Sequence, residues 1–150
     1  PLIFGIEKAL HGTALKYFQN TGNIGFAFET GQHFTDAASK NATAGLMCLL
    51  AASGTISATK IEDFARYYDY LNSQTEDLPH KVEFLYKHII EPDDEFEMRP
   101  GFKNFDKIKK GQWLATDRHG KILAQRDGFV LMPLYQDQGD DGFFIVEETD

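Results

Sequence analysis

The chain has little of what marks a secreted, membrane-spanning or nucleic-acid-binding protein. Its single cysteine, Cys48, forms no internal disulfide, and a reducing, cytoplasmic setting is the natural expectation. Its place among Leu46, Met47, Leu49 and Leu50 reads as a core position rather than a nucleophile. No apolar run is long enough to span a bilayer, and no signal-peptide pattern opens the chain. Positive charge is the minority: 15 Lys and Arg stand against 23 Asp and Glu, a net charge of −8. A phosphate backbone needs a positive footprint, so a nucleic-acid partner is not expected. The five histidines, His11, His33, His80, His88 and His119, make no H-x-x-E, H-x-H or H-E-x-x-H pair. No metal ligand is therefore assigned to this chain. Internal repeats and low-complexity segments are also lacking.

What is present suffices for a real core. The 150 residues are 42% hydrophobic and 13% aromatic, which fits one domain, or a part-domain and a small one. Residues 2–4 read as a strand entered partway through a domain, and the chain is expected to be the C-terminal portion of a longer protein. A short helix is expected over residues 13–20. Residues 24–28 are almost continuously apolar, which predicts a strand buried on both faces. Ala38, Ala42, Leu46 and Leu49 recur at helical spacing, predicting a helix over residues 36–53 stopped at Gly54. Thr59 and Glu62 have the spacing of a capping box, ahead of a stripe of Ile61, Phe64, Ala65, Tyr68 and Leu71. The tyrosines Tyr67, Tyr68 and Tyr70 read as packing. The polar stretch 72–79 is expected to be a linker.

From Lys81 the pattern becomes alternating. Val82, Phe84, Tyr86 and His88 are expected on one face of a strand, and Glu83, Leu85, Lys87 and Ile89 on the other. Turn signals then recur at Glu91-Pro92-Asp93-Asp94, Arg99-Pro100-Gly101, Lys110-Gly111, His119-Gly120, Asp127-Gly128 and Gln138-Gly139, as in a small all-β domain. Asp117 to Lys121 reads as a hairpin tip, and Phe102-Lys103-Asn104-Phe105 is expected to turn one ring inward. The boundary is set between 1–78 and 79–150.

The most informative stretch is Asn23-Ile24-Gly25-Phe26-Ala27-Phe28-Glu29-Thr30-Gly31-Gln32-His33. An apolar strand ends on one carboxylate, turns at a glycine, and a helix follows at Thr35 or Asp36. Open α/β sheets place their ligands at such strand ends. Apolar neighbours desolvate a carboxylate there and raise its proton affinity, which suits a general base. A solvated or helix-capping Glu29 is the plainer alternative. Gly31 allows the tight bend. His33 is positioned to touch substrate or orient Glu29, or to be a turn histidine satisfied by backbone or water.

Glu29-Thr30-Gly31-Gln32-His33, followed by an Ala-rich helix, resembles the E-x-G-x-H segment of the succinylglutamate desuccinylase and aspartoacylase family. Met98-Arg99-Pro100-Gly101-Phe102, Ile108-Lys109-Lys110-Gly111-Gln112 and Asp127-Gly128-Phe129-Val130-Leu131-Met132-Pro133 resemble that family's C-terminal domain in the same order. The resemblance runs from about Gly12 to Ile145. It implies the α/β end of a zinc-carboxypeptidase-like domain (strand–helix–helix), followed by a small all-β barrel-sandwich-like domain.

The activity implied is hydrolysis of an N-acyl amino acid, a small-molecule substrate. Zinc would activate the water, and Glu29 would act as general base and then general acid. The family's Zn2+ sits on a His-x-x-Glu pair and a later His, well before the glutamate segment. The resemblance therefore puts those ligands upstream of Pro1 and makes this chain inactive alone. Candidate substrate-binding residues are His33, Gly31 and Phe144. Aspartoacylase-like members carry a tyrosine near Phe144 that helps hold the substrate carboxylate. Phenylalanine has no hydroxyl, which counts against acyl-aspartate specificity. Arg66, Arg99, Arg118 and Arg126 read as surface charge, each able to clasp a carboxylate.

The segments 108–115, 122–124 and 127–130 also look like a biotinyl/lipoyl-type barrel-sandwich. The hairpin at Asp117 to Lys121 lacks the context of a carrier lysine, so the similarity is one of architecture. It leaves a second alternative open: a non-catalytic binding or interaction module. Oligomeric state is open as well, with a homo-oligomer through an exposed sheet edge as one outcome.

Overall fold

A computed structural model of the chain describes residues 1–10, 12–31, 34–136 and 139–149. The fold is a mixed α/β arrangement. In chain order the elements are β1 (Leu2–Phe4), α1 (Ala14–Asn20), α2 (Asp36–Ala52), α3 (Phe64–Ser73), β2 (Lys81–Ile89), β3 (Glu97–Met98), β4 (Asp106–Ile108), β5 (Trp113–Asp117), β6 (Gly120–Leu123), β7 (Gly128–Leu131) and β8 (Asp141–Glu148). Contacts divide the chain into two compact units. One is Pro1–Lys16 with Leu78–Asp150, and the other is Tyr17–Asp77. Among the described residues no helix is long and apolar enough to cross a membrane.

The strands of the first unit form two open sheets. Five lie in the order β1-β2-β8-β7-β4, and three in the order β3-β5-β6. β1 runs parallel to β2, and the other pairs are antiparallel. One core draws Met98, Leu114 and Ala115 from the small sheet and Ile108, Val130, Phe143 and Ile145 from the large one. A second core gathers Val82, Phe129, Leu131, Phe144 and Val146, with Ile3, Ile6, Phe84 and Phe105 packed against it. β8 supplies alternate residues to both cores, which is why its Gly-Phe-Phe-Ile-Val run is apolar throughout.

β2 departs from strict alternation. A register shift lies between Phe84 and Tyr86, so Phe84 pairs with Val146 but Tyr86 pairs with Ile145. One extra residue in a strand reverses every later side chain. Val82 and Phe84 therefore serve the second core and Leu85 the first. Tyr86 and His88 turn to the Phe143 ring instead of continuing the face of Val82. Phe102 and Phe105 both turn inward, each to a different core. The expected hairpin tip is present: Asp117 pairs with Gly120, and the His119 N–H donates to Asp117 Oδ1 at 2.7 Å.

In the second unit α2 begins where expected. Thr35 Oγ1 accepts from the Ala38 N–H at 3.1 Å, an N-cap bond. The capping box at Thr59 does not form. Ile61 is extended at φ −94° and ψ 116°, which stops helix growth from Thr59, and residues 58–60 make only a 3-10 turn. Thr59 bonds Ser57 instead, at 2.9 Å. α3 starts later, behind Asp63 at φ 52°. Its half-buried stripe is Phe64, Tyr67, Tyr70 and Leu71, while Ala65 and Tyr68 face outward.

Residues 24–28 do not form the expected buried strand. A strand needs a ladder partner for its backbone groups, and no strand of the second unit is there to supply one among the described residues. Ile24, Phe26 and Phe28 are 98%, 58% and 49% exposed. α2 is likewise less enclosed than its composition suggests. Ala44 is its one buried side chain, Cys48 is half-buried, and Leu46 and Leu49 are exposed.

Candidate functional site

Glu29 lies on the segment between α1 and α2, and its side chain is exposed. The burial that was to desolvate the carboxylate is absent, because the strand that would have provided it is absent. The backbone around it is held in place nonetheless. Asn41, on α2, donates from Nδ2 to the Thr30 carbonyl at 2.8 Å. Tyr70, on α3, donates its hydroxyl to Asn41 Oδ1 at 2.9 Å. The two helices thus clasp the residue next to Glu29 through one half-buried amide. An amide is suited to this, with a donor and an acceptor at opposite corners.

Two glycines let the segment lie as it does. Gly31 has φ +111°, a region that an L side chain adopts only with strain. Gly45, on α2, sits under the Phe28 ring so closely that a Cβ would collide with it. Helix surface that in most helices carries side chains is here a shallow seat for an aromatic ring.

Of the four candidate site residues, Glu29 and Gly31 belong to this one loop. His33 lies outside the described residues. Phe144 belongs to the other unit, 2% exposed in the second core, with its ring edge-on to Phe84 at 6.3 Å. It is a packing residue there and presents no surface to a ligand. Cys48 is a half-buried thiol whose pKa burial raises, the behaviour of an inert cysteine. Neither Asn41 nor Tyr70 carries a sequence signal for this tie: Asn41 belongs to no motif, and Tyr70 is one of three tyrosines that read as packing.

In the first unit a titratable pair, His88 and Tyr86, packs among aromatic rings. The His88 ring stacks on Phe143 at 5.1 Å and on Phe96 at 5.3 Å. Its Nδ1 lies 3.1 Å from the Tyr86 hydroxyl. Its Nε2 is buried without a hydrogen-bond partner among the described residues. Burial lowers the His88 pKa, and the charges of Asp117 and Asp94 oppose that shift. Burial also raises the Tyr86 pKa. The imidazole lies between two phenyl rings, where burial favours its neutral form. Among the described residues no three His, Cys, Asp or Glu side chains converge so as to hold a metal ion. No protein-family model, no curated protein and no solved structure matches the chain.

Proposed function

We propose that this chain is the C-terminal part of a zinc-dependent amidohydrolase of the succinylglutamate desuccinylase and aspartoacylase kind, acting on an N-acyl amino acid. Glu29 takes a proton from the attacking water and returns it to the leaving amine. The observation that carries the reading is the Glu29-Thr30-Gly31 turn. It puts a carboxylate on a glycine bend, and Asn41 and Tyr70 tie the bend to two helices. The ordered motifs of the sheet unit support it too. In the finer reading residues 79–150 are a small barrel-sandwich-like domain, and residues 1–78 are the end of a zinc-carboxypeptidase-like domain.

The exposed apolar side chains that precede Glu29 fit the same reading. Ile24, Phe26 and Phe28 are large apolar side chains left 98%, 58% and 49% exposed. Neighbouring strands of a complete α/β domain would cover them and desolvate Glu29. By the resemblance the zinc ligands belong to polypeptide outside this sequence, and among the described residues no three His, Cys, Asp or Glu side chains converge to hold a metal ion. A cytoplasmic setting belongs to the same proposal.

One observation favours a second reading, a non-catalytic binding module: Glu29 is exposed. A single experiment separates the two. Hydrolysis of a panel of N-acylated amino acids is measured for the zinc-loaded product of the complete reading frame, with and without Glu29→Gln. The variant is expected to lose at least about a hundredfold in rate, the low end for a general base, with zinc content and fold unchanged. Full activity in the variant refutes the role of Glu29. A protein that neither binds zinc nor cleaves the panel is the binding module.

A further inference from the structure

His88 has no part in the chemistry proposed for Glu29, yet its ring is closely confined. It stacks on Phe143 of β8 at 5.1 Å and on Phe96 at 5.3 Å, with planes 5° and 27° from parallel. Nδ1 lies 3.1 Å from the Tyr86 hydroxyl. Nε2 is buried with no hydrogen-bond partner among the described residues. Gly142 makes the close fit possible. A Cβ there would come within 2.7 Å of the Phe96 ring and 3.0 Å of the His88 ring. A neutral imidazole tolerates such a site at the cost of one unmade bond. An imidazolium carries a charged N–H at Nε2, and leaving that unpaired away from water costs more.

Phe96 reaches His88 from the segment 90–96, which connects β2 to β3. The segment is tied down and strained. The Ile90 N–H donates to the Asp140 carbonyl at 2.7 Å, and the Arg118 N–H donates to the Asp94 carbonyl at 2.7 Å. Asp94 Oδ2 accepts the Glu91 N–H at 2.8 Å, and Oδ1 lies 3.5 Å from Arg118 Nε. Asp93 and Glu95, on either side of Asp94, have φ of 68° and 54°, a left-handed backbone that is unfavourable for residues with a Cβ. Among the described residues no charged group hydrogen-bonds the His88 ring. Asp94 is engaged by Glu91 and Arg118, and Asp117 Oδ1 accepts the His119 N–H at 2.7 Å. On β8, Asp141 pairs with Lys87 at 2.7 Å. Glu95 and Glu97, on either side of Phe96, are exposed. Burial is the main influence on the ring and opposes protonation, while Asp117 and Asp94 act on it through their charge and favour protonation.

We infer that residues 90–96 are a proton-operated strap: when His88 is protonated, Phe96 leaves its ring, Nε2 reaches water, and the strands on either side stay paired. The strap is closed above about pH 6.5, the ordinary histidine value. In the closed form burial holds the His88 pKa below that value, so the open form binds more protons. Opening therefore grows as the pH falls below about 6.5, by at most about tenfold per pH unit for one proton, and levels off beneath the closed-form value. Acid thereby uncovers ring surface of Phe96 and Phe143 that is covered at neutral pH. The strap lies wholly in the sheet unit, so it stands or falls separately from Glu29.

The test is NMR of the intact chain from pH 7.5 to pH 4. It follows the His88 ring protons, the backbone amides and their hydrogen exchange, corrected for the intrinsic pH dependence of exchange. The His88 midpoint is expected below 6.5. The Glu91, Asp94 and Phe96 amides are expected to shift with that same midpoint. The Arg118 amide is expected to lose protection through the same window, while the Phe144 and Val146 amides of β8 keep theirs. His88→Phe is expected to abolish the transition at the strap amides. Phe96→Ala, which removes the cover and keeps the histidine, is expected to raise the His88 midpoint toward 6.5. Strap amides that do not titrate with His88, or a His88 midpoint at or above 6.5, would overturn the strap. So would strap shifts that persist in His88→Phe, which belong to His119 or a carboxylate, and so would an unmoved His88 midpoint in Phe96→Ala. Loss of β8 protection together with that of Arg118 would mean unfolding of the whole sheet unit and would overturn it too.

Discussion

Strand β8 and helix α2 are both apolar runs of this chain, and they meet opposite fates. From Gly142 to Val146 every residue of β8 is buried. Along α2 only Ala44 is, and Leu46 is 51% exposed. β8 has a strand on each side and side chains packed on each face. α2 has α3 and the 23–31 segment against it within its unit, the segment through the Phe28 ring on Gly45. Apolar composition states what a segment prefers. Burial needs a second surface of matching shape, and only one of these two segments has it on all sides.

The largest effect that would sharpen this contrast is a pair of truncations. Phe143→Ala removes a ring that is buried in the first core and touches His88 and Tyr86. Its expected cost is about 3–5 kcal/mol. Leu46→Ala, on the exposed side of α2, is expected to cost less than about 0.5 kcal/mol. Urea unfolding followed at both units measures each. Comparable losses would mean that α2 is covered in solution, and the contrast would fall.

Signals that act within a few residues were readable in the sequence. Thr35 caps α2, β2 begins at Lys81, and the Asp117–Gly120 tip closes a hairpin. Where the expectation failed, the deciding partner was absent or distant. Residues 24–28 have strand composition, and among the described residues their unit contains no strand to pair with them. The register shift in β2 is set by its pairing with β8, nearly sixty residues on, and nothing in the sequence near Leu85 announces it. At Thr59 a sound capping pattern lost to an extended Ile61. For the candidate site, the Glu29 bend and Gly31 were legible. The Asn41–Tyr70 clasp was not, because it joins positions 29 residues apart.

A smaller effect tests whether the sheet unit carries a pH dependence of its own. The His88 pKa is lowered below the ordinary 6.5, first by burial. Between that lowered value and 6.5 the unfolded chain binds more protons than the folded one. Stability is therefore present in full above about 6.5 and falls as the pH drops through this window toward the folded value. His88→Phe keeps a ring between Phe96 and Phe143 and removes the proton-binding site. Urea midpoints at pH 7 and pH 5 are expected to draw closer in the variant. An unchanged gap would assign the acid sensitivity to other groups.

The smallest effect concerns the helical unit. Tyr70→Phe deletes the hydroxyl that holds Asn41 and leaves the ring. The loss is one partly buried hydrogen bond, about 0.5–1.5 kcal/mol. Asn41→Ala removes the same tie at its centre, together with the bond to the Thr30 carbonyl. If the two bonds act as one clasp, the double variant costs less than the sum of the singles. Both variants are then expected to shift the Glu29, Thr30 and Gly31 amides in NMR spectra and to leave the β8 amides in place. Additive losses would mean that Tyr70 and Asn41 act separately. The bend at Glu29 would then be held by the Gly31 backbone and the Phe28 seat on Gly45, and the carboxylate would owe its position to packing rather than to the two helices.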